Sequence, residues 1–253
     1  ICERLLHAGL SQVRLTVGEN LSLENERISE GTPETMRERE AAGLTVVLAE
    51  NPAAGRTVPR PLTHGLPDEA FIRGNTPMTK LEVRSVSLSK LALTENAVVC
   101  DVGAGTGSVS VECARLFSGI RVFSIERDPE ALELLEKNRQ QFSLSNMEIV
   151  AGTAPEALEG LPAPTHVFIG GSGGSMEQIV DTVLRKNRAA RFVANLITPE
   201  SLAAVMDLPR TLPVTDPEIV MVTAARSKKA GNSHLMLGAN PVWIVTFSGR
   251  EDQ

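Results

Sequence analysis

The segment VVCDVGAGTGSVSVECA, residues 98–114, decides the fold of this 253-residue chain. Its apolar start ends at Asp101, three glycines follow at alternate positions, and a helical pattern begins after them. Glycines at a turn from a buried strand into a helix are typical of a β-α-β unit, in which a ligand lies against the turn. The segment therefore predicts a ligand site at the carboxyl end of a buried strand.

The glycines do not fit the common phosphate-binding motifs. A dinucleotide fingerprint reads G-x-G-x-x-G, but Ser108 stands at its third glycine position, and no lysine stands in a Walker arrangement. Asp101 would repel a pyrophosphate and attract an ammonium group, and Glu126, which ends the next predicted strand, can accept both hydroxyls of a ribose. These residues favour S-adenosylmethionine over the alternative in which the glycines only permit a tight turn and Asp101 caps the helix.

Strand and helix patterns alternate from about Phe71 onward. Such alternation predicts a parallel sheet with helices on both faces. The last two strand patterns, EIVMVTAARS and PVWIVTF, have a long loop and no helix between them, which favours an antiparallel hairpin at one edge. The predicted fold class is α/β: a Rossmann-like class I S-adenosylmethionine-dependent methyltransferase domain with a mostly parallel sheet and an antiparallel edge hairpin.

The start of the chain follows a different pattern. We predict a strand at residues 13–17, a short helix in TPETMREREAA, and a buried strand at residues 44–51. Thr32 caps the helix, and Pro33 is in its first position. These three elements are too few to form more than half of a hydrophobic core. A proline-rich stretch follows them. We therefore expect residues 1–55 to be a small α/β fragment that belongs to a larger domain or docks on a partner. Residues 56–70 are expected to be a linker, and residues 71–250 the ligand-binding domain.

Composition excludes several other classes of function. A net charge of −6 and an aromatic content of 3% disfavour nucleic acid as a partner. No apolar run approaches the length of a membrane span, and no His, Cys or carboxylate spacing predicts a bound metal. The three cysteines show no C-x-x-C spacing, which suits a cytoplasmic location.

Several segments resemble the T domain of precorrin-6Y C5,15-methyltransferases (decarboxylating), which act in cobalamin biosynthesis. PMTKLEVR (residues 77–84) and HVFIGGSGG (residues 166–174) carry the resemblance most specifically. The first part of the chain resembles the end of the E domain, a tetrapyrrole methyltransferase domain of a different fold that precedes the T domain in bifunctional members. The resemblance implies methyl transfer to C15 of a precorrin or cobalt-precorrin, loss of carbon dioxide from the C12 acetate, and a homotetramer. Because only the tail of an E domain is recognisable, we expect no C5 methylation.

The resemblance also implies which residues hold the methyl donor. The glycine loop wraps the methionine part, Glu126 takes the ribose, and Gly170 lies beneath the donor. Thr79 reaches the donor as well, although it also fits a helix N-cap in a capping box with Glu82. Two further residues flank the adenine. The implied donor set is Thr79, Asp101, Gly103, Ala104, Gly105, Thr106, Gly107, Glu126, Thr153, Ala154 and Gly170.

A precorrin carries many carboxylates, so basic residues are candidate substrate ligands. ARSKK (residues 225–229) places Arg226, Lys228 and Lys229 in the loop between the last two strands, where they either bind carboxylates or form a solvated charge run. Gly171 and Gly173 would let the backbone approach the flat macrocycle, unless the run GGSGG is simply a flexible turn. No residue is assigned a catalytic role, because the macrocycle itself can take up the electrons left by decarboxylation.

Two alternatives remain open from the sequence. One is a methyltransferase of similar core that acts on protein or tRNA, and the other is a non-catalytic S-adenosylmethionine-binding scaffold. The sequence also leaves open whether the substrate contains cobalt.

Overall fold

The computed structural model describes residues 1–7, 10–52 and 63–250, and the chain divides into two compact units, Ile1–Arg60 and Pro61–Gln253. Each unit is built around its own sheet. The expected linker, residues 56–70, lies partly outside the described residues. Its described end belongs to the second unit, in which Leu66 and Asp68 are buried.

The first unit is a three-stranded antiparallel sheet in the order β2-β1-β3 with two short helices. Val13, Leu15 and Val17 are its buried apolar side chains among the described residues. The elements are α1 (Cys2–His7), β1 (Arg14–Glu19), β2 (Arg27–Gly31), α2 (Pro33–Met36) and β3 (Thr45–Glu50).

The helix and the last strand of this unit differ from their predictions. Thr32 is the N-cap of α2 and Pro33 its first residue, as predicted, but the helix ends at Met36 because the charged residues that follow offer no apolar face to bury. The prediction of a buried strand at residues 44–51 is wrong. β3 is an edge strand on which Val46 and Leu48 are 61% and 57% exposed.

The strand β2 was not predicted, because its sequence RISEG contains one apolar residue. It forms by pairing with β1, and a bidentate ion pair supports the pairing. Arg27 Nε and Nη2 donate to the two carboxylate oxygens of Glu19 at 2.8 and 2.9 Å. Glu19 also accepts a hydrogen bond from the amide of Ala42 at 2.9 Å and forms an ion pair with Arg39. These contacts lower the pKa of Glu19 to about 2.

The second unit contains, among the described residues, a seven-stranded sheet, a two-stranded ribbon and six α-helices. None of the described helices is long and apolar enough to cross a membrane. The elements are α3 (Leu81–Leu91), β4 (Val98–Val102), α4 (Ser108–Leu116), β5 (Arg121–Glu126), α5 (Pro129–Gln141), β6 (Met147–Ala151), α6 (Glu156–Glu159), β7 (His166–Ile169), α7 (Met176–Lys186), β8 (Arg191–Leu196), α8 (Pro199–Thr211), β9 (Glu218–Val222), β10 (Ala225–Ala230), β11 (Ser233–Gly238) and β12 (Val242–Ser248).

The large sheet has the order β6-β5-β4-β7-β8-β12-β9. β4 to β8 are parallel, and β12 is antiparallel to both of its neighbours, β8 and β9. The predicted α/β class, with a mostly parallel sheet and an antiparallel edge pair, is therefore confirmed. The chain steps outward from β4 in one direction to β6 and in the other from β7 to β8. This reversal opens a crevice beyond the carboxyl ends of β4 and β7, where such folds bind ligands.

Both faces of the large sheet are covered. Side chains of α3, α4 and α5 form one apolar cluster, and side chains of α6, α7 and α8 form a second one. Cys100 and Cys113 are fully buried within these clusters. Burial raises the pKa of the Cys100 thiol to about 12 and that of Cys113 well above its ordinary value, so both behave as apolar fillers.

The long loop predicted between β9 and β12 is instead an antiparallel ribbon of β10 and β11. Arg226, Lys228 and Lys229 therefore lie on a strand and not in a loop. Every residue of the two strands is exposed. Because neither face of the ribbon is covered, its sequence lacks the alternation of apolar and polar residues that predicts a half-buried strand.

Candidate active site

A cavity of about 1110 Å³ opens beyond the carboxyl ends of the parallel strands of the second unit. Residues that follow all five of these strands line it, together with the residues before α3 and the part of the chain around the ribbon. We call residues 75–80 the pre-helix segment and residues 103–107 the glycine loop. Residues 75–80 and 103–105 line the cavity, and so do, among others, residues 126–128, 152–154, 170–173 and 237–240.

The glycine loop requires glycine for its backbone and for its close contacts. Gly103, Gly105 and Gly107 have φ angles of +72°, +57° and +77°, a region that other residues rarely adopt. A Cβ atom at Gly103 would lie 2.9 Å from the carbonyl oxygen of Gly171, and one at Gly105 would lie 3.0 Å from that of Pro77. The loop is therefore a bare backbone cradle between two other walls of the cavity.

The donor residues predicted from sequence divide into two groups. Thr79, Gly103, Ala104, Gly105, Glu126, Thr153, Ala154 and Gly170 line the cavity together. Asp101, Thr106 and Gly107 do not line it. Gly107 is the N-cap of α4, and a Cβ atom there would meet Leu135 at 2.2 Å. The Thr106 hydroxyl is buried without a hydrogen-bond partner among the described residues.

Asp101 is 1% exposed and lies behind the glycine loop. The amide and the hydroxyl of Ser110 donate to its Oδ2 atom at 3.1 and 2.6 Å. Its Oδ1 atom is buried and has no hydrogen-bond partner among the described residues. Burial raises the pKa of Asp101 to about 6, against the two hydrogen bonds from Ser110, and the charge of Glu126 adds to the rise. A buried carboxylate oxygen without a hydrogen-bond partner costs stability.

The raised pKa predicts how stability depends on pH. Between the ordinary value of 3.8 and about 6, the folded protein holds the Asp101 proton and the unfolded chain does not, so stability falls as the pH rises through this window. The difference corresponds to about 3 kcal/mol. Asp101→Asn keeps an acceptor for Ser110 and loses the titration. The unfolded Asp101 is still partly protonated at pH 4, so urea unfolding at pH 4 and pH 8 should show the variant gaining about 2 kcal/mol relative to wild type between the two pH values. A difference that does not change with pH would contradict the assignment.

Glu126 ends β5 and is fixed by backbone amides. Gly105 donates to its Oε2 atom at 2.8 Å, and Arg127 and Asp128 donate to its Oε1 atom at 2.7 and 3.0 Å. A carboxylate has about four acceptor sites, so about one remains for a ribose hydroxyl. A second hydroxyl would have to replace a backbone donor. The carboxylate thus joins the glycine loop to the turn after β5.

Thr79 is not a helix N-cap, so the predicted capping box with Glu82 is wrong. Lys80 is the N-cap of α3 and makes no side-chain cap. The amide of Leu81 instead donates to Asp68 Oδ1 at 3.0 Å, which gives this helix end a remote acceptor. Thr79 is left on the wall of the cavity, and its carbonyl oxygen accepts Arg84 Nη1 at 2.6 Å.

A buried ion network that sequence reasoning missed holds the pre-helix segment against the core. Arg84 is fully buried, its Nε donates to Glu112 Oε1 at 2.8 Å, and its Nη1 lies 3.3 Å from Asp68 Oδ1. The guanidinium also bonds the carbonyl oxygen of Leu66 and lies 4.7 Å from the centre of the Phe71 ring. One arginine thus joins α3, α4 and the chain before the pre-helix segment.

The predicted substrate residues are not all at the cavity. Arg226, Gly171 and Gly173 line it, whereas Lys228 and Lys229 do not. Asn195, at the end of β8, also lines the cavity and was not predicted. Ser87 donates to Asn195 Oδ1 at 2.8 Å, and Asn195 Nδ2 is buried without a partner among the described residues. A polar residue near the carboxyl end of a parallel strand was the signal that could have identified it.

The arrangement suits an organic ligand with an adenosine part. Within residues 1–7, 10–52 and 63–250, no three His, Cys, Asp or Glu side chains are grouped as metal ligands would be. The strand order, the bare glycine loop after β4 and the carboxylate after β5 are those of a class I methyltransferase. This is the class that the fold and the cavity define.

Comparison with known proteins gives the family. The chain belongs to the precorrin methyltransferase domain family, whose model matches residues 69–247. It is 41% identical over 187 residues to a Pyrobaculum calidifontis protein named "Probable cobalt-precorrin-6B C(15)-methyltransferase (decarboxylating)", covering 73% of this chain and 95% of that protein. This confirms the family predicted from the sequence.

Two further relatives extend the comparison. The Precorrin-6Y C(5,15)-methyltransferase [decarboxylating] of a Sinorhizobium species is 30% identical over 247 residues, which span 97% of this chain and 58% of that protein. A crystal structure of precorrin-6Y C5,15-methyltransferase from Geobacter metallireducens superposes with a TM-score of 0.68 at 37% identity, covering 74% of this chain and 96% of that one.

Proposed function

We propose that the protein transfers a methyl group from S-adenosylmethionine to C15 of a precorrin or cobalt-precorrin and decarboxylates the C12 acetate side chain. One observation carries the proposal: a single cavity of about 1110 Å³ contains the glycine cradle and Glu126 and extends to the pre-helix segment and the ribbon. A drug-sized ligand needs about 300–1,000 Å³, so a donor leaves room for the reacting edge of a large acceptor. The activities named for the relatives support this choice.

The residues present fit the donor. Gly103 and Gly105 leave the backbone bare for the amino-acid tail, and the buried charge of Asp101 lies behind them. Glu126 would accept a ribose hydroxyl, Thr153 and Ala154 would flank the adenine, and Thr79 and Gly170 would complete the walls. When bound, S-adenosylmethionine supplies a methyl group activated on a sulfonium.

This chain mainly contributes orientation. The glycine loop and the pre-helix segment would hold the two reactants in line, and the walls would exclude water, a positioning effect that can supply about 7–11 kcal/mol of the barrier. No side chain has to act as a general base, because the attacking carbon belongs to an electron-rich macrocycle. The same macrocycle can take up the electron pair when carbon dioxide leaves the acetate.

Replacing Glu126 with alanine is expected to weaken the binding of S-adenosylmethionine by about 2 kcal/mol, or about thirtyfold, because the charge-assisted hydrogen bond to a ribose hydroxyl is lost. The variant also frees the Gly105 amide. Titration calorimetry with the donor and with S-adenosylhomocysteine measures the effect. Glu133 is an exposed carboxylate on α5, and Glu133→Ala is the control. This variant should bind S-adenosylmethionine like wild type. Unchanged affinity in the Glu126 variant would refute the assignment of the ribose site.

We further propose that residues 1–55 are the C-terminal piece of a tetrapyrrole methyltransferase domain, residues 56–70 a linker, and residues 71–250 the methyltransferase domain. The relative that aligns over 97% of this chain supports a continuous bifunctional arrangement. Homotetramer formation and a cytoplasmic location stay predictions of the resemblance.

The acceptor is tested with isotopically labelled S-adenosylmethionine. Incubation with a precorrin, a cobalt-precorrin, bulk tRNA and unfolded protein in parallel should transfer label to a tetrapyrrole alone. Label in tRNA or protein would favour the alternative acceptors. Donor binding without transfer to any of them would favour a scaffold.

A further inference from the structure

The cations on the cavity wall bear on how a polycarboxylate would bind. Among the described residues, three cations line the cavity: Lys80 in the pre-helix segment, Arg127 after β5, and Arg226 on β10. They differ in whether their charge is already neutralised within the chain. A cation that is paired with a carboxylate has to lose that pair before it can bind a ligand carboxylate.

Arg226 is fully engaged. Its Nε and Nη2 donate to the two oxygens of Glu82 at 2.9 and 2.7 Å, and its Nη1 donates to Asp68 Oδ2 at 2.8 Å. The pairs raise the pKa of Arg226 and lower that of Glu82, and they keep the pKa of Asp68 low although burial opposes this. Since Asp68 also bonds Arg84, Arg226 fastens the ribbon to the buried ion network.

Lys80 and Arg127 are exposed, and neither side chain has an ion-pair partner in the part of the chain that the structure describes. The carboxylates beside Arg127 are occupied elsewhere. Glu126 accepts backbone amides, and Asp128 caps α5 by accepting the amide of Ala131 at 2.9 Å. Both cations therefore line the cavity and can bind a ligand carboxylate without first losing an ion pair within the described residues.

Arg127 is directed toward the opposite side of the crevice. Its Nη1 atom lies 4.0 Å from the position that a Cβ atom would have at Gly173. The side chain thus reaches from the end of β5 to the glycine run after β7, residues 170–174. A ligand that enters between this run and the pre-helix segment would meet Arg127 on one side and Lys80 on the other.

We propose that Lys80 and Arg127 bind the carboxylate side chains of the macrocycle, and that Arg226 instead positions the ribbon. This rests on the proposed function, because it takes the second ligand to be a polycarboxylate tetrapyrrole. Arg127 would bind a carboxylate in a bidentate manner, whereas Lys80 would act as a point charge that follows its ligand. Glycine at position 173 leaves space for the guanidinium and the carboxylate together.

The test uses the full chain with Lys80→Gln, Arg127→Gln and the double variant. Two controls carry the same change in charge at exposed sites outside the cavity: Lys137→Gln on α5 and Arg210→Gln on α8. Uroporphyrin, a stable polycarboxylate macrocycle, serves as the binding probe through its Soret band, and S-adenosylhomocysteine reports the donor site by calorimetry. Turnover of a precorrin gives KM and kcat.

Each single variant should weaken uroporphyrin binding and raise the precorrin KM about fivefold to tenfold, with kcat and S-adenosylhomocysteine affinity unchanged. The double variant should also bind with a weaker dependence on ionic strength. The two controls should match wild type. Arg226→Lys should leave the uroporphyrin affinity within about twofold, since its charge is already paired.

Three results would overturn the inference: wild type that does not bind uroporphyrin, variants that bind it like wild type, or an Arg127 variant that loses only S-adenosylhomocysteine. The last result would assign Arg127 to the donor site.

The inference and the proposed function can fail separately. Methylation of a precorrin with unchanged KM in both variants would refute the inference alone. Charge-dependent uroporphyrin binding without methylation of any precorrin would refute the function alone.

Discussion

Replacing Arg84 with methionine is expected to lower the free energy of unfolding by about 3–5 kcal/mol. Methionine keeps most of the volume beside Phe71, so the loss comes from charge. Glu112 is fully buried and would retain only the amides of Gly65 and Leu66, at 2.8 and 3.1 Å, as partners. A buried carboxylate without a counter-charge is far more costly than a broken surface pair. Urea unfolding at neutral pH measures the change.

A second substitution tests whether charge is the cause. Adding Glu112→Gln to Arg84→Met removes the uncompensated carboxylate and should recover about half of the lost stability. Arg210→Met is the matched surface control, since its pair with Asp207 is exposed on both sides, and it should change stability by less than about 1 kcal/mol. If the Arg84 variant were as stable as wild type, the network would not hold the pre-helix segment.

Gly103→Ala is expected to reduce the affinity for S-adenosylmethionine by about a hundredfold or more, or about 3 kcal/mol. The added Cβ would lie 2.9 Å from the Gly171 carbonyl oxygen and 3.0 Å from its amide nitrogen, both backbone atoms, and the φ angle of +72° strains any other residue. The glycine loop has to shift, and the shift moves the cradle away from Glu126.

Calorimetry of donor binding measures the effect, and Gly160→Ala is the control. Gly160 has a φ angle of −80° and nothing within 4 Å of its added Cβ, so its variant should bind the donor like wild type. Circular dichroism distinguishes a local shift of the loop from unfolding. A Gly103 variant that is folded and binds the donor with wild-type affinity would show that the loop is not the cradle.

The fold and the side of the cavity around the glycine loop were predictable because both depend on local pattern. Asp101 and Glu126 end strands whose apolar runs are visible in the sequence, and parallel strands bring such ends to one edge of the sheet. The turn glycines follow directly. What one residue contributes at that edge was harder to predict. Asp101 is buried behind the glycine loop, and backbone amides occupy most of the acceptor sites of Glu126.

The side of the cavity formed by the pre-helix segment and the ribbon depends on contacts that are distant in sequence. Arg84 and Glu112 are 28 residues apart, and Arg226 and Asp68 are 158 apart, so no local pattern relates them. The charge run at residues 225–229 indicated substrate binding, but tertiary pairing neutralises Arg226, and the ribbon carries Lys228 and Lys229 away from the cavity. Lys80 and Arg127 are far apart in the sequence, and only the folded chain brings both to the same cavity.

The reaction itself is tested most directly by mass spectrometry of a precorrin substrate incubated with the full chain and S-adenosylmethionine. Methylation at C15 with loss of the C12 carboxyl group adds one methyl and removes one carbon dioxide from the same molecule. We predict that combined change, with S-adenosylhomocysteine formed in equal amount. A substrate of unchanged mass, in the presence of a protein that binds the donor, would contradict the proposed function.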